Sequence, residues 1–349
     1  MKKRALLFLL TLCITVLTAC GGKGANTPDA SNAEKPTGET TKITVAIPDP
    51  QNSYIAAAAE EFKKRAEEYS NGSLSISIAP NGSLYGGDTA AGIKQLSAGS
   101  LDMLILATSV YSNFEPGFNV ISVPYMFDDQ KQLLSFLNSN IADGLFSRLE
   151  NMNIKSVGRW TRSFRQITNS KRPITCAKDL EGLVLRVPNN SLYVEFFSSL
   201  GTVTTPMNFS EVYNALQLQT LDGQENPVDV PLSNNFYEVQ KYISFTNHMA
   251  DAWVVGINLD FYNKLTKEQQ DAIAKAGDEV QQWNVDMMAE RDGNALKQLE
   301  EKGMKSNVLT SEAAQELVDA SKKLFPKFKE LIKDDKLFEE TIQFTGRNE

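Results

Sequence analysis

The sequence predicts an α/β fold built from two domains, and three observations support this prediction. Strand-like and helical segments alternate from residue 43 onward, as in KITVAIP followed by SYIAAAAEEFKKRAEEYS. This alternation is typical of α/β layers with a largely parallel sheet. The body that begins there is longer than a typical single hydrophobic core, which favours two domains. The third observation is one unusually long helical segment near the carboxyl end.

That segment covers residues 265–303 and has recognisable ends. Thr266 and Gln269 have the spacing of a capping box, and Gly303 is a suitable C-terminal stop. No proline interrupts it, so a continuous helix would be about 54 Å long, longer than one domain is wide. The alternative is a pair of helices broken near Gly293. A single helix lying across both domains is the sharper expectation.

The amino-terminal residues 1–19 are typical of a secretory signal peptide. A cationic start, MKKR, precedes an apolar stretch of about 14 residues, which is short of the ~20 needed to span a bilayer. The stretch ends in LTAC, which resembles the lipobox of bacterial lipoproteins, so Cys20 is expected to be lipidated. The alternative is a plain signal peptide that contains a cysteine. We expect a protein of the periplasm or cell surface, anchored to the membrane by Cys20.

Residues 20–42 are predicted to be the lipidated cysteine and a flexible linker. The segment after Cys20 contains no aliphatic side chain larger than alanine, so it cannot bury enough surface to offset its ordering entropy. Such a linker would keep a lipid anchor apart from the folded body.

Composition excludes several classes of function. The formal net charge of −8 becomes more negative once the cations of the signal peptide are removed, so net charge favours neither nucleic acid nor anionic lipid as a partner. Of three cysteines, only Cys176 remains in the mature domain, which excludes an internal disulfide. With His248 as the single histidine, a zinc site is not expected, and neither is any other metal or cofactor.

Two arginines and an asparagine form a candidate anion site. Arg186 lies inside the apolar run of GLVLRVPNN, where an unpaired guanidinium is unfavourable. Arg165 precedes it by about twenty residues. Asn226 lies in LDGQENP, whose succession of polar residues predicts a loop or strand terminus rather than a core strand. Two guanidinium groups and one amide suit a carboxylate ligand. The alternative for either arginine is a surface ion pair or an interdomain strut.

Three segments carry a family resemblance. DLEGLVLRVPNN, MNFSEVYNALQLQTLDGQENP and FYEVQKYISFTNH resemble the solute-binding proteins of tripartite ATP-independent periplasmic (TRAP) transporters, the DctP family. The resemblance covers roughly residues 43–303. It implies a periplasmic-binding-protein fold of two α/β domains around a central cleft that closes by hinge motion, with a long helix spanning both. It also implies delivery of a carboxylate-bearing solute to membrane permease subunits.

The resemblance assigns the domains and several ligand contacts. Domain I is expected at 43–163 plus 252–292, and domain II at 164–251 plus 293–349. By resemblance, Arg186 pairs with the ligand carboxylate, and Arg165 and Asn226 are further contacts.

In the sialic-acid binders of the family, residues matching Asn189 and Phe209 also line the cleft. Asn189 has capping of the following helix as its alternative role, and Phe209 has hydrophobic packing.

The chain also departs from the sialic-acid binders. The segment LYGGDTAAG retains an acid, Asp88, as a candidate ligand contact, whereas Thr108 stands where those proteins have an acid. The expected ligand is therefore a sugar acid, such as a uronate or aldonate, or a C4-dicarboxylate. Arg162 is an additional cation whose position, at the surface or in the cleft, the sequence leaves open.

An enzyme is not expected. The carboxylates near the candidate site are Glu211, Asp222 and Glu225, and the first of these is explained by its place at a helix start. A ligand-sensing lipoprotein that signals through a partner protein is the alternative to a transport receptor, since both need the same cleft. The expected assembly state is a monomer.

Overall fold

The computed structural model describes residues 40–347. The predicted signal peptide, Cys20 and the predicted linker up to residue 39 lie outside the described residues. Thr41 and Lys42, which the sequence assigned to the linker, instead begin the first strand, where Thr41 pairs with Leu74. Their polar side chains do not prevent this, because strand pairing uses backbone groups.

Eleven strands form two sheets in the described part of the chain. Their bounds are β1 (Thr41–Ala46), β2 (Leu74–Ala79), β3 (Met103–Ala107), β4 (Ile154–Thr161), β5 (Gln166–Asn169), β6 (Val184–Val187), β7 (Val203–Pro206), β8 (Gly223–Asn226), β9 (Tyr242–Phe245), β10 (Ala252–Asn258) and β11 (Lys305–Val308). The first sheet has the order β2-β1-β3-β10-β4, and the second has the order β11-β9-β5-β8-β6-β7.

Both sheets are mixed rather than largely parallel as the sequence predicted. In the first, β1 is parallel to β2 and β3, whereas β10 is antiparallel to both β3 and β4. In the second, β6 is parallel to β7 and β8, and β5 is antiparallel to β8 and β9. The alternation of strand-like and helical segments does not reveal the antiparallel pairing, because β10 returns to the first sheet after most strands of the second sheet have formed.

Thirteen α-helices accompany the sheets within residues 40–347. They are α1 (Tyr54–Tyr69), α2 (Thr89–Ser97), α3 (Thr108–Tyr111), α4 (Gln130–Leu137), α5 (Asn140–Ser147), α6 (Ser191–Ser199), α7 (Val212–Gln217), α8 (Asp229–Ser233), α9 (Leu259–Lys264), α10 (Lys267–Glu301), α11 (Ser311–Lys323), α12 (Phe325–Ile332) and α13 (Asp335–Thr345). The first residues of the apolar segment FNVISVPYMF (118–127) belong to the 3-10 helix Pro116–Ser122. None of the helices in this part of the chain has the length and apolar character needed to cross a membrane.

The long helix α10 is continuous over 35 residues, and its capping box at Thr266 and Gln269 forms as predicted. It runs past Gly293 without a break. Gly277 has a packing role, because a Cβ there would lie 1.7 Å from the carbonyl oxygen of Val157 in β4. The absence of a side chain therefore lets the helix lie directly on the first sheet.

Farther along α10, Ala295 and Leu299 pack in a cluster with Ile243 of β9 in the second sheet. The predicted α/β fold with a helix spanning both sheets is confirmed. The last helices also link distant parts of the chain, since α12 contacts both α6 and the 116–122 segment. It thus joins residues that the sequence assigned to different domains.

Candidate ligand-binding site

A cavity lies between the two sheets and contains about 440 Å³ of empty space, part of it open to solvent. The ends of strands and the residues next to them supply most of its walls. The lining residues are Pro48, Asp49, Thr89, Leu106, Ala107, Ser109, Val110, Arg162, Arg165, Arg186, Pro188, Phe209, Asn226 and Trp253.

Arg186 lies in β6 between the buried side chains of Leu185 and Val187 and is itself 4% exposed. Its Nε and Nη2 atoms donate to the carbonyl oxygen of Met207 at 3.2 and 2.8 Å. Its guanidinium lies 5.9 Å from the ring centre of Phe209. Burial lowers the pKa of Arg186 to about 10, so the group keeps its charge at neutral pH. No carboxylate of the described residues forms an ion pair with it.

Arg165 has the opposite environment. It lies immediately before β5 and is 2% exposed, and it forms a two-point ion pair with Glu225. Its Nη2 atom donates to Oε1 of Glu225 at 2.7 Å and to the carbonyl oxygen of the same residue at 2.7 Å. Its Nη1 atom lies 3.3 Å from a carboxylate oxygen of Asp251. The charge of Arg165 is therefore compensated by two buried acids.

Glu225 connects Arg165 to the one histidine. Its Oε2 lies 3.2 Å from Nε2 of His248, whose Nδ1 lies 2.7 Å from the hydroxyl of Thr246. Burial raises the pKa of Glu225, but the charge and hydrogen bonds of Arg165 outweigh this and hold it below its usual value. Burial lowers the pKa of His248. Arg165 and Glu225 thus form a buried ion pair, and the imidazole of His248 lies beside the Glu225 carboxylate.

Asp251 holds the first sheet against both arginines of the 162–165 segment. Its carboxylate accepts from the hydroxyls of Thr108 at 2.8 Å and Ser109 at 2.9 Å. It also accepts from Nη1 of Arg162 at 3.0 Å. Arg162 stacks on Trp253 at 4.1 Å and lines the cavity, which settles the position that the sequence left open. Thr108 donates its hydroxyl to Asp251, and it is fully buried and does not face the cavity.

The interpretation of LDGQENP as a loop or strand terminus was wrong. Gly223–Asn226 form β8, a fully buried strand paired with both β5 and β6. Its polar side chains are tolerated because each has a partner: Gln224 donates to the hydroxyl of Thr168 at 2.8 Å, and Asn226 donates to Gln224 at 2.7 Å. Buried polar groups are stable when hydrogen-bonded in this way.

The profile of the DctP family, described as bacterial extracellular solute-binding protein, family 7, matches residues 45–331. The chain belongs to this family. Members of the DctP family are the substrate-binding components of transporters, and the two-sheet fold with the cavity between the sheets agrees with that membership.

Three relatives show how close the DctP-family match is. The 2,3-diketo-L-gulonate-binding periplasmic protein YiaO of Escherichia coli strain K12 is 30% identical over 71% of this chain and 75% of that protein. The C4-dicarboxylate-binding protein DctB of Bacillus subtilis strain 168 is 29% identical over 67% of this chain and 66% of that protein. A TRAP periplasmic solute-binding protein from Haemophilus influenzae, solved with bound L-gulonate, superposes with a TM-score of 0.81 at 29% identity, covering 88% of this chain and all of that one.

Of the residues expected to contact ligand in this DctP-family protein, Arg165, Arg186, Asn226 and Phe209 lie together at the cavity. Asn189 and Asp88 do not line it. The amide of Asn189 donates to Asn208 at 3.3 Å, and the helix that it was expected to cap is instead capped by Asn190.

Asp88 is exposed and caps α2, where it accepts from the backbone amides of Ala90 and Ala91. Asp49 and Trp253 also line the cavity, on the first-sheet side, and were not among the residues expected from the sequence. Asp49 comes shortly after the first strand. A polar residue just beyond the end of a buried strand could have predicted its place at the ligand cavity.

Proposed function

We propose that this DctP-family protein is the extracytoplasmic solute-binding lipoprotein of a TRAP transporter, which captures a carboxylate-bearing organic acid and delivers it to the membrane permease. The ligand classes are a sugar acid, such as a uronate or aldonate, and a C4-dicarboxylate. The carrying observation is Arg186, a buried and charged side chain at the cavity wall with no acidic partner among the described residues. A ligand carboxylate would complete its coordination.

The hydrogen-bond geometry of Arg186 supports this role. Its Nε and one hydrogen of Nη2 are used by the carbonyl oxygen of Met207. The other hydrogen of Nη2 and those of Nη1 find no acceptor in residues 40–347. These two edge nitrogens form the parallel pair of donors that matches a carboxylate bidentately. Because Met207 and the buried strand already fix the guanidinium, little entropy is lost on binding.

The relatives support both ligand classes. YiaO of Escherichia coli is named for a sugar acid, DctB of Bacillus subtilis for C4-dicarboxylates, and the Haemophilus influenzae protein was solved with L-gulonate. Each of these ligands carries a carboxylate that Arg186 would receive.

A thermal-shift screen tests the binding function. The mature body would be heated with uronates, aldonates, succinate and malate, and hits would be titrated by calorimetry. A ligand at 100 times its dissociation constant should stabilise the protein by about 2.7 kcal/mol. Neutral sugars serve as the control, since they lack the carboxylate. Stabilisation by neutral sugars and by none of the acids would contradict the proposal.

The lipid anchor is a separate part of the proposal. We expect Cys20→Ser to abolish incorporation of labelled palmitate and to release a body that still binds ligand. Cys176→Ser is the matched control, because Cys176 is a half-buried thiol of the folded body. Unchanged palmitate labelling in Cys20→Ser would contradict the lipoprotein assignment.

The domain division at 43–163 plus 252–292 and 164–251 plus 293–349 is also proposed. It is supported by the sorting of strands, because β1 to β4 and β10 share one sheet and the other strands share the second. Closure of two such lobes on a ligand should lower the radius of gyration measured by X-ray scattering. Identical scattering curves with and without a bound ligand would argue against closure.

A further inference from the structure

We infer that the ligand is a polyhydroxy monocarboxylate rather than a dicarboxylate, with its single carboxylate on Arg186 and its hydroxyl groups donating to Asp49. This inference rests on the proposed function and narrows its ligand class. It follows from the ion pairing of the arginines that line the cavity and from the hydrogen-bonding groups on the first-sheet side of the cavity.

Of the arginines that line the cavity, only Arg186 has no acidic partner among residues 40–347. Three arginines line the cavity: Arg162, Arg165 and Arg186. Two fully buried acids, Glu225 and Asp251, are ion-paired with the first two arginines. One ligand carboxylate therefore has a cation to pair with, at Arg186. A second ligand carboxylate would have to be buried without a free counter-charge, which is unfavourable.

Arg162 is a poor receptor for a second carboxylate. Its Nη1 donates to Asp251 at 3.0 Å, and its guanidinium is stacked on Trp253 at 4.1 Å. Asp49 lines the same cavity. Burial raises the pKa of Asp229 to about 7, and the neighbouring Asp49 adds to this rise. A ligand carboxylate placed beside Arg162 would lie close to the carboxyl group of Asp49, and two carboxyl groups at close range oppose each other's ionisation.

The first-sheet side is suited to hydroxyl groups. Asp49 is 5% exposed and forms no ion pair among the described residues, and burial raises its pKa. Its carboxyl oxygens accept hydrogens, which a ligand hydroxyl supplies and a ligand carboxylate does not. The hydroxyl-bearing residues Thr89 and Ser109 also line the cavity. A site that hydrogen-bonds a hydroxyl discriminates strongly against an analogue that lacks it.

Matched acid pairs test the inference. L-Gulonate and D-glucarate share their stereocentres and differ by oxidation of the terminal CH2OH to a carboxylate; galactonate and galactarate form a second such pair. Calorimetric titration of the mature protein should show that each aldonate binds at least about tenfold more tightly than its aldarate. Succinate should bind more weakly than the better aldonate.

Asp49→Asn tests the residue that carries the discrimination. The substitution keeps the size of the side chain and replaces one of its two carboxyl oxygens with an NH2 donor, so the ratio of aldonate to aldarate affinity should fall toward one. Asp129→Asn is the matched control, because Asp129 caps α4 away from the cavity and asparagine also caps well. That variant should keep the wild-type ratio.

The outcomes separate the two proposals. An aldarate or succinate that binds the wild type as tightly as the aldonates overturns the monocarboxylate inference and leaves the proposed function standing. Wild-type discrimination that persists in Asp49→Asn overturns the role given to Asp49. Absence of binding by every acid in the panel overturns the proposed function and this inference with it.

Discussion

The surroundings of Arg165 and Arg186 differ although both arginines lie at the same sheet and line the same cavity. Arg165 is held by Glu225 and Asp251, so its charge is cancelled within the protein. Arg186 donates to a backbone carbonyl oxygen and lies over the ring of Phe209, and no acid of residues 40–347 forms an ion pair with it. Residue type and position in the cleft therefore do not assign a role. The presence or absence of a buried counter-charge does.

The largest expected effect comes from removing the counter-charge of Arg165. Glu225→Gln should lower the free energy of unfolding by about 3–5 kcal/mol, because it leaves a buried guanidinium without its main partner. Urea denaturation measures this. Asp271→Asn is the control, since its ion pair with Lys267 on α10 is exposed and should change stability by less than about 1 kcal/mol. Equal losses in both variants would remove the distinction between the two arginines.

Arg186→Lys should weaken ligand binding while leaving the ligand-free protein folded. Loss of one partner of a buried charged hydrogen bond costs about 2–5 kcal/mol, or roughly 30-fold to several-thousand-fold in affinity, and lysine keeps the charge without the two-point grip. Arg172→Lys is the matched control, because Arg172 also donates to backbone carbonyls but does not line the cavity. Calorimetry that finds near-wild-type affinity in Arg186→Lys would place the carboxylate elsewhere.

Acid pH should make the surroundings of Arg165 resemble those of Arg186. The pKa of Glu225 is lowered in the folded state, so its stabilisation is present above the ordinary glutamate pKa of about 4.3 and is lost as the pH falls. The stability difference between the wild type and Glu225→Gln should shrink by up to about 1.4 kcal/mol per pH unit below 4.3. Denaturation curves between pH 7 and pH 3 measure it. A constant difference would mean that Glu225 does not titrate in this range.

The smallest expected effect is on the ligand-free protein. Arg186→Met should leave the free energy of unfolding unchanged or raise it by about 1 kcal/mol, because it replaces an uncompensated buried charge with apolar surface. Arg165→Met is the comparison, and it should destabilise the protein because it leaves Glu225 buried without its arginine and leaves Asp251 paired with Arg162 alone. A marked loss of stability in Arg186→Met would show that Arg186 is a structural strut.

Features with a local cause were predictable from the sequence. The start of α10 follows from Thr266 and Gln269, whose capping bonds span three residues, and the apolar run around Arg186 identifies β6. The cluster of Arg186, Arg165, Asn226 and Phe209 at the cavity also agrees with the residues chosen from the sequence.

Other features depend on partners that are distant in the chain. The polar strand β8 is buried because Glu225 meets Arg165, 60 residues away, and its polar neighbours find similar partners. No local sequence pattern predicts such ion pairing. The contact of Asp251 with Thr108, 143 residues away, is unpredictable from the sequence for the same reason.

The sequence by itself determined the α/β class, the long helix and the arginine in a buried strand, because periodicity and capping act over a few residues. The tertiary structure alone decided which arginine is compensated, that the sheets are mixed, and that Asp49 belongs to the cavity wall. The physical reason is that the free energy of a buried charge depends on the groups brought within a few ångströms of it, and folding brings those groups from distant parts of the chain.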